Sequence, residues 1–523
     1  MNDEPILVHM TLRPTLAIAL LASATLVMAQ AGTLDQSFGT NGYVTFYFGG
    51  ENTFPTDALV LPNGQILAVT AIYNPTADIA LERYNADGSL DASFGDAGVV
   101  TIDVNAGSND RPGEAVLLPD GKILIGGKSD GGILLLRVEQ DGSVDTSFGT
   151  DGWLTLDQDP DEVDYPWGFV VRPTGEIVVI NTVDVSIGNG YGSVIQFTAD
   201  GALDADFGTN GVLTIDNGST NATEWLYAIA LASSGDVYVL GSAFVEINGT
   251  DETFVYRVTP SGSLDPAFDG EGYRLLPIGT ESEVPSVITV LPNDQVLVGG
   301  TTTMGVVDHP FLAKLNGDGS YDPTFGSAGV QIMTAIHSQG ISELFILPGG
   351  QILMSGQASN GVGTDMLIAR LHADGSFDTG FGTEGVTRTL IGSPAGWESG
   401  GALALAADGN YIMTGVTGTS FAGTSTQVLL KYLSGNLAGM AEGNSPPVHF
   451  HPNPTSGQLW VSAPGALRSL WLHIVDLDGR SVGNVNLNGD GSVQLPASLQ
   501  LGTYFISSTD HARFPPQRIV LMP

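Results

Sequence analysis

Short runs of β-branched and aromatic residues recur along the whole chain, separated by clusters of Gly, Asn, Asp and Pro. The first set reads as four strands, at 42–48, 57–61, 65–70 and 79–84. Such runs favour the pleated, half-buried surface of a sheet. Between the second and third strands, Pro62-Asn63-Gly64 predicts a tight hairpin, because Pro presets φ and Asn-Gly tolerates the positive φ of the turn. Asn85-Ala86-Asp87-Gly88 turns the chain after the fourth strand. No helical period interrupts the pattern.

The set repeats. Leu34-Asp35-Gln36-Ser37-Phe38-Gly39-Thr40-Asn41-Gly42 returns around Phe94, Phe148, Phe207, Phe268, Phe325 and Phe381, in steps of 56, 54, 59, 61, 57 and 56 residues. Seven units of four strands predict an all-β fold, a seven-bladed β-propeller of repeats about 57 residues long, in which radial repetition leaves few exposed sheet edges. An open β-solenoid is the alternative, but it uses shorter repeats and capping ends. The frame also predicts ring closure. The last repeat ends at Leu429-Leu430-Lys431-Tyr432-Leu433 without the motif, whereas the first motif has no strand before it. Joining them places Phe38 beside Tyr432.

Within the motif, each Phe is expected to plug the gap between blades. The Asp three residues earlier occurs in every copy, as Asp35, Asp91, Asp145, Asp204, Asp265, Asp322 and Asp378. A base recurs in the fourth strand, as Arg83, Arg137, Arg257, Lys314, Arg370 and Lys431, with Gln196 the exception. These residues are expected to pair, or the Asp to cap its own turn. The second turn is read in the last repeat as Ser434-Gly435. A calcium site at each Asp-Gly-x-x-Asp is the functional alternative, although one Asp pair falls short of six to eight oxygen ligands. No other cofactor is expected.

Composition narrows the picture. The chain has 17 basic and 56 acidic residues, a net charge of −39, and no Cys. From Pro446 onward four acids meet four bases, so the negative charge belongs to the repeats. Such a surface disfavours nucleic acid, whose phosphates need Lys and Arg, and a chain without Cys is held by packing and closure rather than disulfides. Arg13, an apolar run from Leu16 to Met28 and Val27-Met28-Ala29 read as an export signal over 1–29, with Met10 an alternative start. No transmembrane anchor is expected elsewhere.

The repeats, with the hairpin Leu118-Pro119-Asp120-Gly121-Lys122-Ile123, resemble the delta-60 repeat family over 31–433. That resemblance implies a propeller-like surface protein and no particular activity. A linker at 434–447 leads to a second resemblance over 448–523. There Pro452-Asn453-Pro454 with Gly457, Asp476-Leu477-Asp478-Gly479-Arg480 and Gly502-Thr503-Tyr504 occur in order. The module is similar to the C-terminal sorting domain read by the type IX secretion system of Bacteroidota. It implies an immunoglobulin-like β-sandwich, the secretion machinery as partner, and release or attachment at the cell surface. An ordinary carbohydrate-binding or immunoglobulin-like module is the alternative.

Catalytic motifs are missing from the sequence: no Cys nucleophile, no His-Glu-x-x-His and no Gly-x-Ser-x-Gly nucleophile elbow leading into a helix. The loops of variable length fall on one face of the expected disc, where binding usually resides. Their acidic and aromatic residues suit sugar or peptide contact and form the candidate site: Asp157, Asp159, Asp161, Glu162, Asp164, Tyr165, Trp167, Trp225, His309 and Trp397. The expected function is a non-enzymatic, surface or secreted binding scaffold for a glycan or protein. The alternative is a secreted polysaccharide-active enzyme using carboxylates in the propeller funnel.

Overall fold

The computed structural model describes residues 30–435, apart from short loop segments within that span, and the strands of 449–521. The expected export signal at 1–29 and residues 436–447 of the linker lie outside the described residues. Between residues 43 and 432, seven antiparallel sheets of four strands form a seven-bladed propeller. The first blade is Asn52–Val60, Ile66–Tyr73, Ala77–Tyr84 and Val99–Ile102, from the axis outward. The first strand of each blade packs against the first strands of its neighbours, around the ring. Each fourth strand follows the Leu-Asp-x-x-Phe motif, so the motif links the third strand of a blade to its fourth.

Ring closure follows from that frame. Tyr43–Phe46 pairs with Ser425–Tyr432 and becomes the outer strand of the last blade, with Tyr43 opposite Leu430. Leu34 bridges to Tyr432. The turn read as Ser434-Gly435 is instead built from both ends of the ring. Gly32 N–H donates to the Leu433 carbonyl at 2.7 Å, and Leu433 N–H donates to Thr33 at 2.8 Å. These bonds match Gly88 to Asn85 and Asn85 to Ser89 in the first blade. Ala31-Gly32 thus stands where five other blades have Asp-Gly and the fourth has Ser261-Gly262, and Gly435 lies against Ala31. Local sequence does not reveal a turn whose halves are about 400 residues apart.

Each motif Phe is a wedge. All seven are at most 1 % exposed. Phe38 packs with Ile412 and Leu429 of the last blade and with Ala58, Ile66 and Tyr84 of the first. The motif Asp secures the turn above it. Its Oδ1 accepts the N–H two residues on, as in Ser93 to Asp91 at 3.0 Å. Its Oδ2 meets the base of the third strand, in Arg83–Asp91 at 2.8 Å, Arg137–Asp145 at 2.6 Å and Arg370–Asp378 at 2.8 Å. The guanidinium also lies over the wedge, 4.5 Å from the Phe94 centroid for Arg83. In the third blade Gln196 donates to Asp204 at 2.8 Å, and Arg172 from the hairpin donates to Gln196 at 3.1 Å. The cation has moved one residue back along the chain of hydrogen bonds. Six of the seven wedges are followed by glycine at positive φ, and at Gly95 space also favours it, since a Cβ would stand 2.2 Å from the Val99 carbonyl oxygen; Asp269 takes the position after Phe268 at a φ of 51°.

The innermost strands are longer than the sequence pattern suggests. The strand expected at 57–61 runs from Asn52 to Val60. One extra residue interrupts its register between Pro55 and Asp57. The other six blades carry the same bulge, for example between Pro166 and Gly168 and between Ile341 and Glu343. A bulge reverses the in–out alternation, so the half before it reads as loop.

One buried acid lies at the seam. Glu82, on Ala77–Tyr84, is fully buried and accepts from Thr70, whose hydroxyl also reaches Gln427 of the last blade. Burial pushes its carboxyl up to about 8. The C-terminal strands form two antiparallel sheets. His449–His451, Gln458–Ser462 and Ser492–Gln494 make one of three strands. Trp471–Val475, Ser481–Asn486, Gly502–Ser508 and Gln517–Leu521 make one of four.

Two outcomes are expected. Phe38→Ala opens a cavity at the closing seam and lowers stability by about 3–5 kcal/mol, read as a lower denaturant midpoint; an unchanged midpoint contradicts the wedge. For Glu82, the folded chain holds a proton that the unfolded chain releases, so its stabilising contribution is lost as pH rises from the ordinary glutamate range toward 8. Glu82→Gln therefore raises the midpoint relative to wild type at pH 8–9 and changes it little near pH 4; a variant weaker than wild type at pH 8–9 contradicts this.

Candidate functional site

The bulges decide what faces the axis. At the bulge the first blade presents Asp57, the second Glu114 and the sixth Glu343. Each carboxylate satisfies an N–H in the next blade round the ring. Asp57 Oδ2 accepts from Ala115 at 2.7 Å, Glu114 Oε2 from Phe169 at 3.2 Å, and Glu343 Oε2 from Leu403 at 2.7 Å. Asp57 and Glu343 are half-buried and Glu114 is exposed at its surface, while protein encloses the carboxyl groups. Desolvation pushes Asp57 up to about 6. Desolvation, reinforced by the charge of Asp57, pushes Glu114 up to about 7. Glu343 is raised well above the usual range, first by desolvation and then by Asp57 and Glu114. Sequence reading missed these residues. In a chain with 56 acids nothing marks them, apart from Pro two residues before Asp57 and Glu114.

The third and fourth blades present aromatics instead. Tyr165 and Trp167 stand on Val163–Val171, and Trp225 and Tyr227 on Trp225–Leu231. Tyr165, Trp167 and Trp225, expected in loops, are therefore on innermost strands, and Tyr227 joins them. Tyr165 and Trp167 stack with centroids 6.3 Å apart and planes 13° apart. Trp225 meets Tyr165 edge-on at 5.4 Å, and Tyr227 lies 6.1 Å from Trp167. Trp167 keeps 45 % of its surface exposed. Lys128 Nζ sits 4.4 Å from the Tyr165 centroid and donates to the Asp164 carbonyl at 2.6 Å. Trp167 and Glu114 line one recess, with Gly113, Gly126 and Gly168.

The other expected site residues are placed differently. Asp159 and Asp161 lie outside the described residues. Asp157 is exposed and Glu162 half-buried beside the start of the third innermost strand. Asp164 is buried and occupied: its Oδ2 accepts from Gln158 N–H at 2.9 Å and its Oδ1 from Asn181 at 2.6 Å. Acids at the same place in other blades brace their loops in the same way. Asp110 accepts from Val104, Glu283 from Gly279 and Glu398 from Ile391. His309 is buried within Val307–Leu315, its Nδ1 2.9 Å from the Ile336 carbonyl oxygen. Trp397 opens Trp397–Leu405 in the last blade, away from the aromatic group.

The Asp-Gly-x-x-Asp turns keep their carboxylates to themselves. Asp87 Oδ1 takes the Ser89 N–H and hydroxyl, and Asp91 takes Ser93 and Arg83. Among the described residues, the grouping close enough to share a cation is elsewhere, at Asp78, Asp103 and Asp110, with one oxygen from each within 4.8 Å of the others. Asp110 is already bound by Val104, Ser108 and Ser129. Of the sorting-motif positions, Pro452, Asn453, Pro454, Gly457 and Gly479 lie outside the described residues, and Gly502 begins Gly502–Ser508.

Among the described residues no helix is long and apolar enough to cross a membrane, which says nothing of strands. Comparison with curated proteins finds no match. Solved structures are similar at low identity. A protein of unknown function from Dyadobacter fermentans is 12 % identical with a TM-score of 0.39, over 75 % of this chain and 98 % of that one. The β-propeller domain of the Trilobed protease from Pyrococcus furiosus is 8 % identical with a TM-score of 0.41, over 74 % and 94 %. An α-L-arabinanase from Penicillium chrysogenum, complexed with arabinobiose, is 11 % identical with a TM-score of 0.37, over 77 % and 97 %. At these values the likeness bears on no residue and no activity of this chain. Family models match more specifically. A β-propeller domain of unknown function, DUF5122, matches residues 61–94, 118–148, 233–268, 291–325 and 348–381. A secretion system C-terminal sorting domain matches 449–522 and implies contact with the type IX secretion machinery. The chain thus carries DUF5122 β-propeller repeats and a C-terminal type IX sorting domain that directs it to the cell surface or the medium.

Proposed function

We propose that this exported propeller is a non-enzymatic binding protein whose ligand, a glycan or a protein, docks at the aromatic mouth of the axial channel. The observation that carries this reading is the group of Tyr165, Trp167, Trp225 and Tyr227, with Trp167 exposed on a strand where core residues are expected. Flat rings in a concave, polar-edged setting suit stacking with a sugar or with peptide side chains. The architecture supports it too, since seven packed blades hold the rings rigidly at low ordering cost on binding. We also propose the division behind delivery: a signal over 1–29, the propeller over 31–433, a linker over 434–447 and an immunoglobulin-like sorting module over 448–523 from a member of the Bacteroidota.

A polysaccharide-active enzyme is the second reading. It is favoured by channel carboxylates raised by burial, Asp57 to about 6 and Glu114 to about 7. Against it, each acid is engaged by a backbone N–H of the neighbouring blade.

Tryptophan-fluorescence titration of the full chain against a panel of oligosaccharides and peptides tests the proposal, with product analysis on the same samples. A saturable change is expected for one ligand class. Trp167→Ala weakens it by roughly tenfold, about 1.4 kcal/mol. Oligosaccharide cleavage that disappears in Glu114→Gln would establish the enzyme instead, and the absence of any titratable ligand would remove the binding site.

A further inference from the structure

We propose that the aromatic mouth recognises lysine side chains in a basic segment of a partner protein, with Trp167 as the platform and Glu114 as the counter-charge. This rests on the reading of the mouth as a binding site and names the chemistry of its ligand.

The protein already makes this contact once, within itself. Lys128 lays its ammonium over Tyr165 at 4.4 Å and hydrogen-bonds the Asp164 carbonyl. The next ring, Trp167, is stacked parallel to Tyr165, lies 6.1 Å from Tyr227 and keeps 45 % of its surface exposed. Trp is the better cation platform of the two. Glu114 reaches the same recess because residue 168 is glycine: a Cβ there would stand 3.2 Å from both carboxylate oxygens. An ammonium over the indole therefore has a carboxylate at its edge, and the lysine methylenes have the ring face.

Charge selects a cation over a neutral ligand. The residues at and just before the bulge in the seven innermost strands are Thr56 and Asp57, Gly113 and Glu114, Trp167 and Gly168, Tyr227 and Ala228, Ser286 and Val287, Ser342 and Glu343, and Gly401 and Ala402. Three are acids and none is a base. The acids repel one another, and a bound ammonium relieves that repulsion, whereas a neutral sugar does not. The nearby bases are occupied. Arg111 lies over Tyr73 at 5.4 Å, and Lys128 is on Tyr165. A net charge of −39 steers a basic segment toward this surface. Val163 and Val284, 41 % and 54 % exposed, lie near the starts of two innermost strands and give such a segment apolar contact.

The test is calorimetric titration of the full chain with a lysine-rich hexapeptide, the same peptide acetylated on its lysines, and a neutral hexasaccharide. The free-amine peptide is expected to bind at least tenfold more tightly than the acetylated one. Trp167→Ala and Glu114→Gln each weaken it about tenfold; Gln at 114 keeps an acceptor for the Phe169 N–H, and Trp167→Tyr restores part of the lost affinity. Asp206→Asn, on the opposite face, leaves affinity unchanged. Equal binding of the acetylated peptide, or an equal loss in Asp206→Asn, overturns the proposal as generic attraction. Binding of the hexasaccharide but not the peptide, lost in Trp167→Ala, overturns it while preserving the binding site. If neither binds, both readings fall.

Discussion

Everything in this propeller depends on the wedge between blades. A four-stranded sheet cannot bury both faces alone, and each blade is completed by its neighbours. The motif Phe fills the gap, the Asp three residues earlier ties the turn above it, and the third-strand base joins that Asp to the ring. One unit thus combines apolar burial, a capped turn and a charge pair excluded from most solvent. The charge pair contributes only because both partners are present, since removing one leaves the other buried and unmatched. The third blade shows the constraint at work. Where Gln196 replaces the base, Arg172 supplies the charge from a hairpin.

Closure adds a second requirement. Tyr43–Phe46 completes the last blade, and Ala31-Gly32 completes its turn, so the ring is sealed by strand pairing, by the Phe38 wedge and by a turn split between chain ends. With no Cys, these contacts are the seal. Glu82 sits within them as a buried, largely neutral acid, tolerated because Thr70 and Gln427 hydrogen-bond around it.

The channel follows from the bulges. A single extra residue in each innermost strand turns side chains toward the axis that would otherwise face a neighbouring blade. Blades one, two and six contribute carboxylates, and blades three and four contribute aromatic rings. The scaffold is sevenfold, but its inner wall is not, and that difference is what makes a specific ligand conceivable on a repetitive frame.

By itself the sequence determined the repeat count, the strand number per repeat, the interblade role of Phe38 and its six counterparts, and the recurring motif Asp and base, read in the fourth strand of the repeat and found in the third of the blade, as partners or turn caps. All of these are local patterns repeated seven times, so each copy corroborates the others. The sorting module was legible for a related reason: several motifs occur in a fixed order. Tertiary structure alone decided the rest. The bulge breaks the two-residue alternation, which made Tyr165 and Trp167 read as loop and concealed Asp57, Glu114 and Glu343 among many acids. Asp164 and His309 looked available in sequence but are buried and engaged, because composition cannot tell a loop brace from a ligand contact. The split turn at Ala31-Gly32 depends on two segments that meet only when the ring closes.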